Sequence, residues 1–113
     1  MFGLFKACDI RAAGTGREGG HFGYSDKVKS ESAVELLPGS GFVGFGEEGK
    51  LDVHFHGMMI DCDKQLKGGH FLDRENPVAI TIEFIIFPLS GVELQRKRDS
   101  HWGVPAFQFK EKE

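Results

Sequence analysis

The segment Leu51-Asp-Val-His-Phe-His-Gly-Met-Met-Ile60 constrains the fold more than any other stretch of the chain. Successive side chains of a β-strand point to opposite faces. Leu51, Val53, Phe55 and Met59 therefore share one apolar face that belongs to a core, while Asp52, His54, His56 and Met58 share the other. The remainder reads the same way. Sixteen glycines in 113 residues fall between short apolar runs, the pattern of strands joined by tight turns, and long amphipathic helices are absent.

Along the chain, residues 2–10 read as a short helical turn or the end of a truncated helix, and the glycine-dense stretch 12–24 as loop or bulged strand. Val34–Leu37 and Gly41–Phe45 read as two strands joined by a Pro38-Gly39 turn, and Asp61–Lys64 as the turn after Leu51–Ile60. Val78–Phe87 is β-branched and apolar on both faces, which predicts a central strand covered on both sides. Val92–Arg96 and Ala106–Phe109 complete the strands. The expectation is a single domain over residues 1–113, of α+β class, dominated by an antiparallel sheet with few short helices. Gly-Gly-His-Phe occurs at 19–22 and again at 68–71, too short a match to establish a repeat.

Charge narrows the partners. Lys and Arg number 14 against 17 Asp and Glu, a formal net charge of −3. Phosphate contacts supply most of the affinity for duplex DNA, and the one basic cluster here is Arg96-Lys97-Arg98. Autonomous DNA binding is disfavoured, although a symmetric oligomer could concentrate a patch. No apolar run reaches the roughly 20 residues that span a bilayer, and the start lacks the pattern of a signal peptide. The expected location is the cytoplasm. Cys8 and Cys62 stand apart and outside any C-x-x-C pair, which suits reduced thiols.

The histidines carry the chemistry. His54 and His56, at i and i+2 on one strand face, are close enough to bind one ion, and zinc takes imidazole nitrogens at about 2.0–2.1 Å. If Asp61-Cys62-Asp63 forms a three-residue hairpin loop, Ile60 faces Lys64 and His70 falls opposite His54 on the same face. Gly68 and Gly69 would let the backbone bulge and aim that ring inward. Alone, a His-x-His pair more often marks two ordinary histidines; the third in the adjoining strand makes a metal site an equal alternative. Three histidines without a fourth protein ligand leave an open coordination position, as in catalytic zinc centres.

Other residues carry weaker readings. Glu83, inside the apolar run, would need a partner if buried; a salt bridge to Arg96 or Arg98, or a subunit contact, outweighs an acid–base role. Glu35 could hydrogen-bond a metal-bound histidine or be a plain edge-strand carboxylate. His21 and His101 flank glycines in loops and read as solvated, and Cys62 sits in a turn away from the histidine face. Gly14-Thr-Gly16 lacks the remainder of a nucleotide-binding fingerprint.

The arrangement His54-Phe-His56, then Gly68-Gly69-His70, then Thr81-Ile-Glu83-Phe, resembles the plants-and-prokaryotes conserved (PPC) domain family. Ala13-Gly-Thr-Gly16 and Gly23-Tyr-Ser-Asp26 are similar to its Gly-x-Gly turn and following strand, Val34-Glu-Leu-Leu37 to its Phe-Glu-Ile-Leu stretch, and Arg96 with Asp99 to its Arg-x-x-Asp element. The similarity covers residues 10 to 109. It implies an α+β fold, a homotrimer as in prokaryotic members, and zinc or another divalent metal on His54, His56 and His70. Plant members carry AT-hooks for DNA; no Arg-Gly-Arg-Pro hook is present here, so DNA enters as a partner by family analogy alone. Family members begin with a strand and a longer helix, and the short stretch before Gly14 leads us to expect that strand to be reduced or missing.

Two functions then compete. One is a trimeric metal-binding module acting through partners, in regulation or in association with DNA. The other is a zinc-dependent hydrolase or lyase that takes a small-molecule ligand at the open metal position; the same fold group includes acetolactate decarboxylase and a zinc-dependent ester hydrolase, an argument from analogy. Glu35 and Glu83 are the candidate catalytic carboxylates. The module ranks first, because no dependable general base accompanies the histidines.

Overall fold

A computed structural model describes residues 3–5 and 9–11 as backbone, and residues 26–100 and 103–113 with their side chains. The strands are β1 (Gly3–Phe5), β2 (Asp9–Arg11), β3 (Val28–Lys29), β4 (Val34–Phe45), β5 (Leu51–Asp61), β6 (Leu66–Phe71), β7 (Val92–Arg98) and β8 (Pro105–Glu111). They form one sheet in the order β3-β2-β6-β5-β4-β7-β8, with β1 paired beside β4. Every pairing is antiparallel except β4–β7, which is parallel and meets at Phe45 and Gln95. The described residues contain no helix, so the sheet dominates as expected while the helical part of an α+β fold is not seen among them. None of the described residues forms a helix long and apolar enough to cross a membrane.

The predicted core face of β5 is covered at one end only. Met59 is fully buried and packs with Val34 and Phe71, flanked by Leu36, Phe55 and Ile82. The apolar face is unevenly covered: Val53 is 47% exposed and Leu51 71%. Leu94 forms a separate buried point on β7.

Several sequence expectations need correction. The backbone over Gly3–Phe5 and Asp9–Arg11 is strand, not a helical turn. Val34–Phe45 is one twelve-residue strand. Its register against β5 shifts between Leu36 and Gly39, so Pro38, which cannot donate to a ladder, sits in a bulge instead of a turn. The β5–β6 hairpin turns later than expected, pairing Ile60 with Leu66 and His56 with His70. Asp61 causes this. Its Oδ1 accepts the N–H groups of Asp63 at 3.0 Å and Gln65 at 2.9 Å, and Lys64 takes a left-handed φ of 60° at the end of the loop. The slip is two residues, an even number, so His70 stays on the histidine face. Gly68 and Gly69 remain in register, without a bulge.

The largest departure is Val78–Phe87. Apart from an isolated bridge at Val78, this segment is not strand. Ile82 alone packs on the core; Ile80, Phe84, Ile85, Ile86 and Phe87 are 63–81% exposed. Its composition reports a need for burial on both faces, but inside the chain the flanks of the central strands are taken by β1, β6 and β7. Glu83 is correspondingly exposed, and the expected pairing with Arg96 or Arg98 does not form: Arg96 joins Asp52, and Arg98 donates to the Gly103 carbonyl.

Candidate metal centre

Two adjacent strands build one histidine cluster. β5 supplies His54 and His56 from one face, and β6 supplies His70 directly opposite His56. Ring centroids lie 4.7 Å apart for His54–His56, 4.4 Å for His54–His70 and 5.3 Å for the stacked His56–His70 pair. One ligand nitrogen from each ring lies within 4.8 Å of the others. Nitrogens around a tetrahedral zinc stand roughly 3.4 Å apart, so small rotations of the rings would bring all three to one ion. The donor set, three imidazoles, suits zinc and neighbouring divalent transition metals. His70 is buried, His54 half-buried and His56 exposed, so the cluster opens to solvent on the His56 side.

A cation from the far side of β4 reaches this cluster. Gly44 of β4 pairs with Asp52 of β5 on the histidine face. A Cβ at Gly44 would stand 2.5 Å from the Leu94 carbonyl oxygen and 2.8 Å from the Phe107 ring. The bare glycine lets β7 and β8 lay side chains across β4. Arg96 lies over the Phe107 ring, 4.9 Å from its centroid, donates from Nη1 to Asp52 at 3.1 Å, and from Nη2 to Nδ1 of His54 at 2.7 Å.

That last bond sets the proton positions. A guanidinium only donates, so Nδ1 of His54 must accept, and the proton of the neutral ring sits on Nε2. Nε2 of His54 lies 2.9 Å from Nε2 of His56, and donates to it. A metal-bound histidine normally donates from its second nitrogen instead. Binding a cation through Nε2 of His54 would move the proton to Nδ1, and Arg96 would have to release that atom. The pKa of His54 is lowered from 6.5 to about 4, first by burial and then by the charges of His70, Arg96 and His56. The ring is therefore neutral and ligand-ready at pH 7.

The other residues singled out in the sequence lie elsewhere. Glu35 pairs with Ile60 on the histidine face, about 13 Å along the strand from His56 at the rise of a β-strand. Glu83 is exposed on the unpaired segment. His21, His101 and Cys8 lie outside the described residues, as does the glycine-dense stretch 12–24. Cys62 is exposed in the hairpin loop, its thiol 3.5 Å from the Ala33 carbonyl. Sequence reasoning missed the Asp52–Arg96–His54 chain. Alternation places Asp52 on the histidine face and the family's Arg-x-x-Asp element singles out Arg96, but their meeting depends on a parallel crossover that no local pattern announces. A shallow depression of about 290 Å³ opens beside Asp52 and Arg96, lined also by Lys50, Arg74 and Pro105, and the histidines do not line it.

Comparison with known proteins agrees with this architecture. Residues 2–90 match the family described as the Plants and Prokaryotes Conserved (PCC) domain, abbreviated PPC above; the match stops short of Arg96. The fold is similar to that of a protein from Ralstonia eutropha JMP134 provisionally called DNA-binding, with a TM-score of 0.64 and 22% identity over 95% of this chain and 68% of that one. A second similar structure, from Bacteroides thetaiotaomicron VPI-5482 and named in the same provisional way, gives a TM-score of 0.58 and 14% identity over 96% of this chain and 69% of that one. No curated protein matches the sequence.

Proposed function

The chain belongs to the Plants and Prokaryotes Conserved domain family, and on that premise we propose that it is a three-histidine metal-binding module that assembles as a homotrimer and acts through partners. The observation that carries the metal is the convergence of His54, His56 and His70, ligand nitrogens within 4.8 Å, from two adjacent strands. The ion is zinc or a similar divalent metal. Its role is to tie β5 to β6 and to hold one coordination position open toward the exposed His56 side.

DNA association is supported by the provisional names of the two structural neighbours. Against it stand the net charge of −3 and the engagement of Arg96 inside the fold. DNA therefore enters this reading through the assembly or a further partner and not through the single chain. A gel shift repeated at rising salt tests it: affinity for duplex DNA at modest ionic strength by single chains, in a preparation that light scattering shows to be monomeric, would overturn this part of the proposal.

The second reading, a zinc-dependent hydrolase or lyase, is favoured by the open position. When bound, the metal would acidify water or polarise a carbonyl. The chain's own contribution is less suited to it. Asp52 is the carboxylate near the cluster among the described residues and is held by Arg96; Glu35 and Glu83 stand away from it. The nearby depression is shallow and its lining is mostly charged, unlike the enclosed, largely apolar sites of most small-molecule enzymes.

Elemental analysis decides the central claim. Native protein is expected to carry about one ion per chain and a His54→Ala/His56→Ala variant none. Equal metal in the two proteins would refute it.

A further inference from the structure

The unpaired segment that follows β6 has the chemistry of a strand without a sheet. Residues 82–89 make no backbone hydrogen bond to the described residues. Phe84, Ile85, Ile86 and Phe87 are consecutive and all exposed, so both faces of an extended backbone are bare. With Ile80 and Leu89 they leave on the order of 700 Å² of apolar surface in water. A protein–protein interface of standard size takes roughly 800 Å² from each partner, and patches of this extent on a soluble chain mark interaction sites.

The chain also carries the complement. β8 is an edge strand among the described residues, bonded to β7 on one side and to none of their strands on the other. It is seven residues long and exposes Phe109 at 69%. Exposed edges of this kind accept extended segments through their unpaired peptide groups. Glu83 is the one charge between Val78 and Leu89, and Lys110 stands exposed on β8. Donor and acceptor are different surfaces of one chain, so the contact is head-to-tail and propagates into a closed ring when the rotation closes.

We infer that residues 80–88 of one copy add as a strand to the β8 edge of a second copy, and that this strand donation is the contact that closes the oligomer. The inference rests on the homotrimer reading and specifies its interface. It accounts for an apolar run on a segment that its own sheet does not accommodate. Glu83 then has the subunit contact that its sequence position suggested, opposite the partner edge bearing Lys110.

The test joins mass with backbone protection. Light scattering of the native protein is expected to give three times the 12.5 kDa chain mass. Hydrogen exchange is expected to show that the alternate amides of residues 80–87 facing the partner edge are protected in that assembly. A Phe84→Asp/Ile86→Asp variant should fall to the monomer mass, retain its β-sheet circular dichroism, and exchange those amides at once. A Glu83→Cys/Lys110→Cys variant should form an intersubunit disulfide on mild oxidation. A native monomer would remove both the trimer and this interface. A native trimer in which every amide of residues 80–87 exchanges rapidly, or one that survives the Phe84/Ile86 substitutions, would remove the interface alone and leave the trimer standing. The native protection measurement decides the matter even if the double variant fails to fold.

Discussion

Replacing Arg96 with methionine should tighten metal binding, the reverse of what loss of a neighbour to a metal ligand usually does. Arg96 donates to Nδ1 of His54 at 2.7 Å, and that bond must be given up when Nε2 takes a cation and the proton moves to Nδ1. A hydrogen bond from a charged group contributes about 1.5–3 kcal/mol. Removing it from the metal-free state spares the metal that cost, a gain of about ten- to a hundredfold in affinity, since 1.4 kcal/mol is a factor of ten. Two further effects have the same sign: a positive charge leaves the neighbourhood of a cation, and Asp52, which is 19% exposed, becomes an unpaired carboxylate two residues from His54. Arg96 also anchors Asp52 and covers Phe107, so the variant should lose stability by about 2 kcal/mol. The assay is competition against a chromophoric zinc chelator at pH 7, on protein shown to be folded. In the metal-free protein, NMR titration of His54 should move upward from about 4, because Arg96 contributes to the lowering; burial, the largest cause, and His70 remain. Unchanged or weaker zinc affinity in a folded Arg96→Met protein would refute the proton assignment and the coupling built on it.

The lowered pKa of His54 also links stability to pH. The unfolded chain binds a proton near pH 6.5 and the folded one only near 4, so stability falls as pH drops through that window and levels off below about 4; with solvent screening the loss is about 1 kcal/mol, and melts of metal-free protein at pH 7, 5.5 and 4 should show it. Met59→Ala empties the centre of the core and should cost about 2–5 kcal/mol in denaturant unfolding. Gly44→Val should lower stability and raise the accessibility of Arg96 to a guanidine-directed reagent, because any Cβ there collides with the Leu94 carbonyl and the Phe107 ring; an unchanged melting temperature would show that β4 and β7 adjust freely.

The candidate site was more legible than the sheet around it. Alternation in Leu51–Ile60 is a local signal, and it placed His54 and His56 together on the non-core face. His70 could be brought to that face without knowing the turn, because any even slip keeps the parity; the two-residue error moved it from His54 to His56. Long-range pairing was not legible. Nothing local announces that β7 runs parallel beside β4 or that Gly44 lets Arg96 cross it. Pro38-Gly39 carries the composition of a turn, yet a bulge absorbs it within one strand. Val78–Phe87 shows the deepest limit: hydrophobicity tells that a segment requires cover, never which molecule supplies it.

The Arg96 guanidinium, bonded to Asp52 and His54 and lying over the Phe107 ring, makes the histidine cluster and the β7–β8 hairpin mechanically answerable to each other. A cation bound through Nε2 of His54 would release the bond by which Arg96, lying over Phe107 of β8, is tied to β5. Such coupling is reciprocal in free energy. Zinc added to the native protein should therefore shift its dissociation into single chains, and dilution should alter how firmly zinc is held.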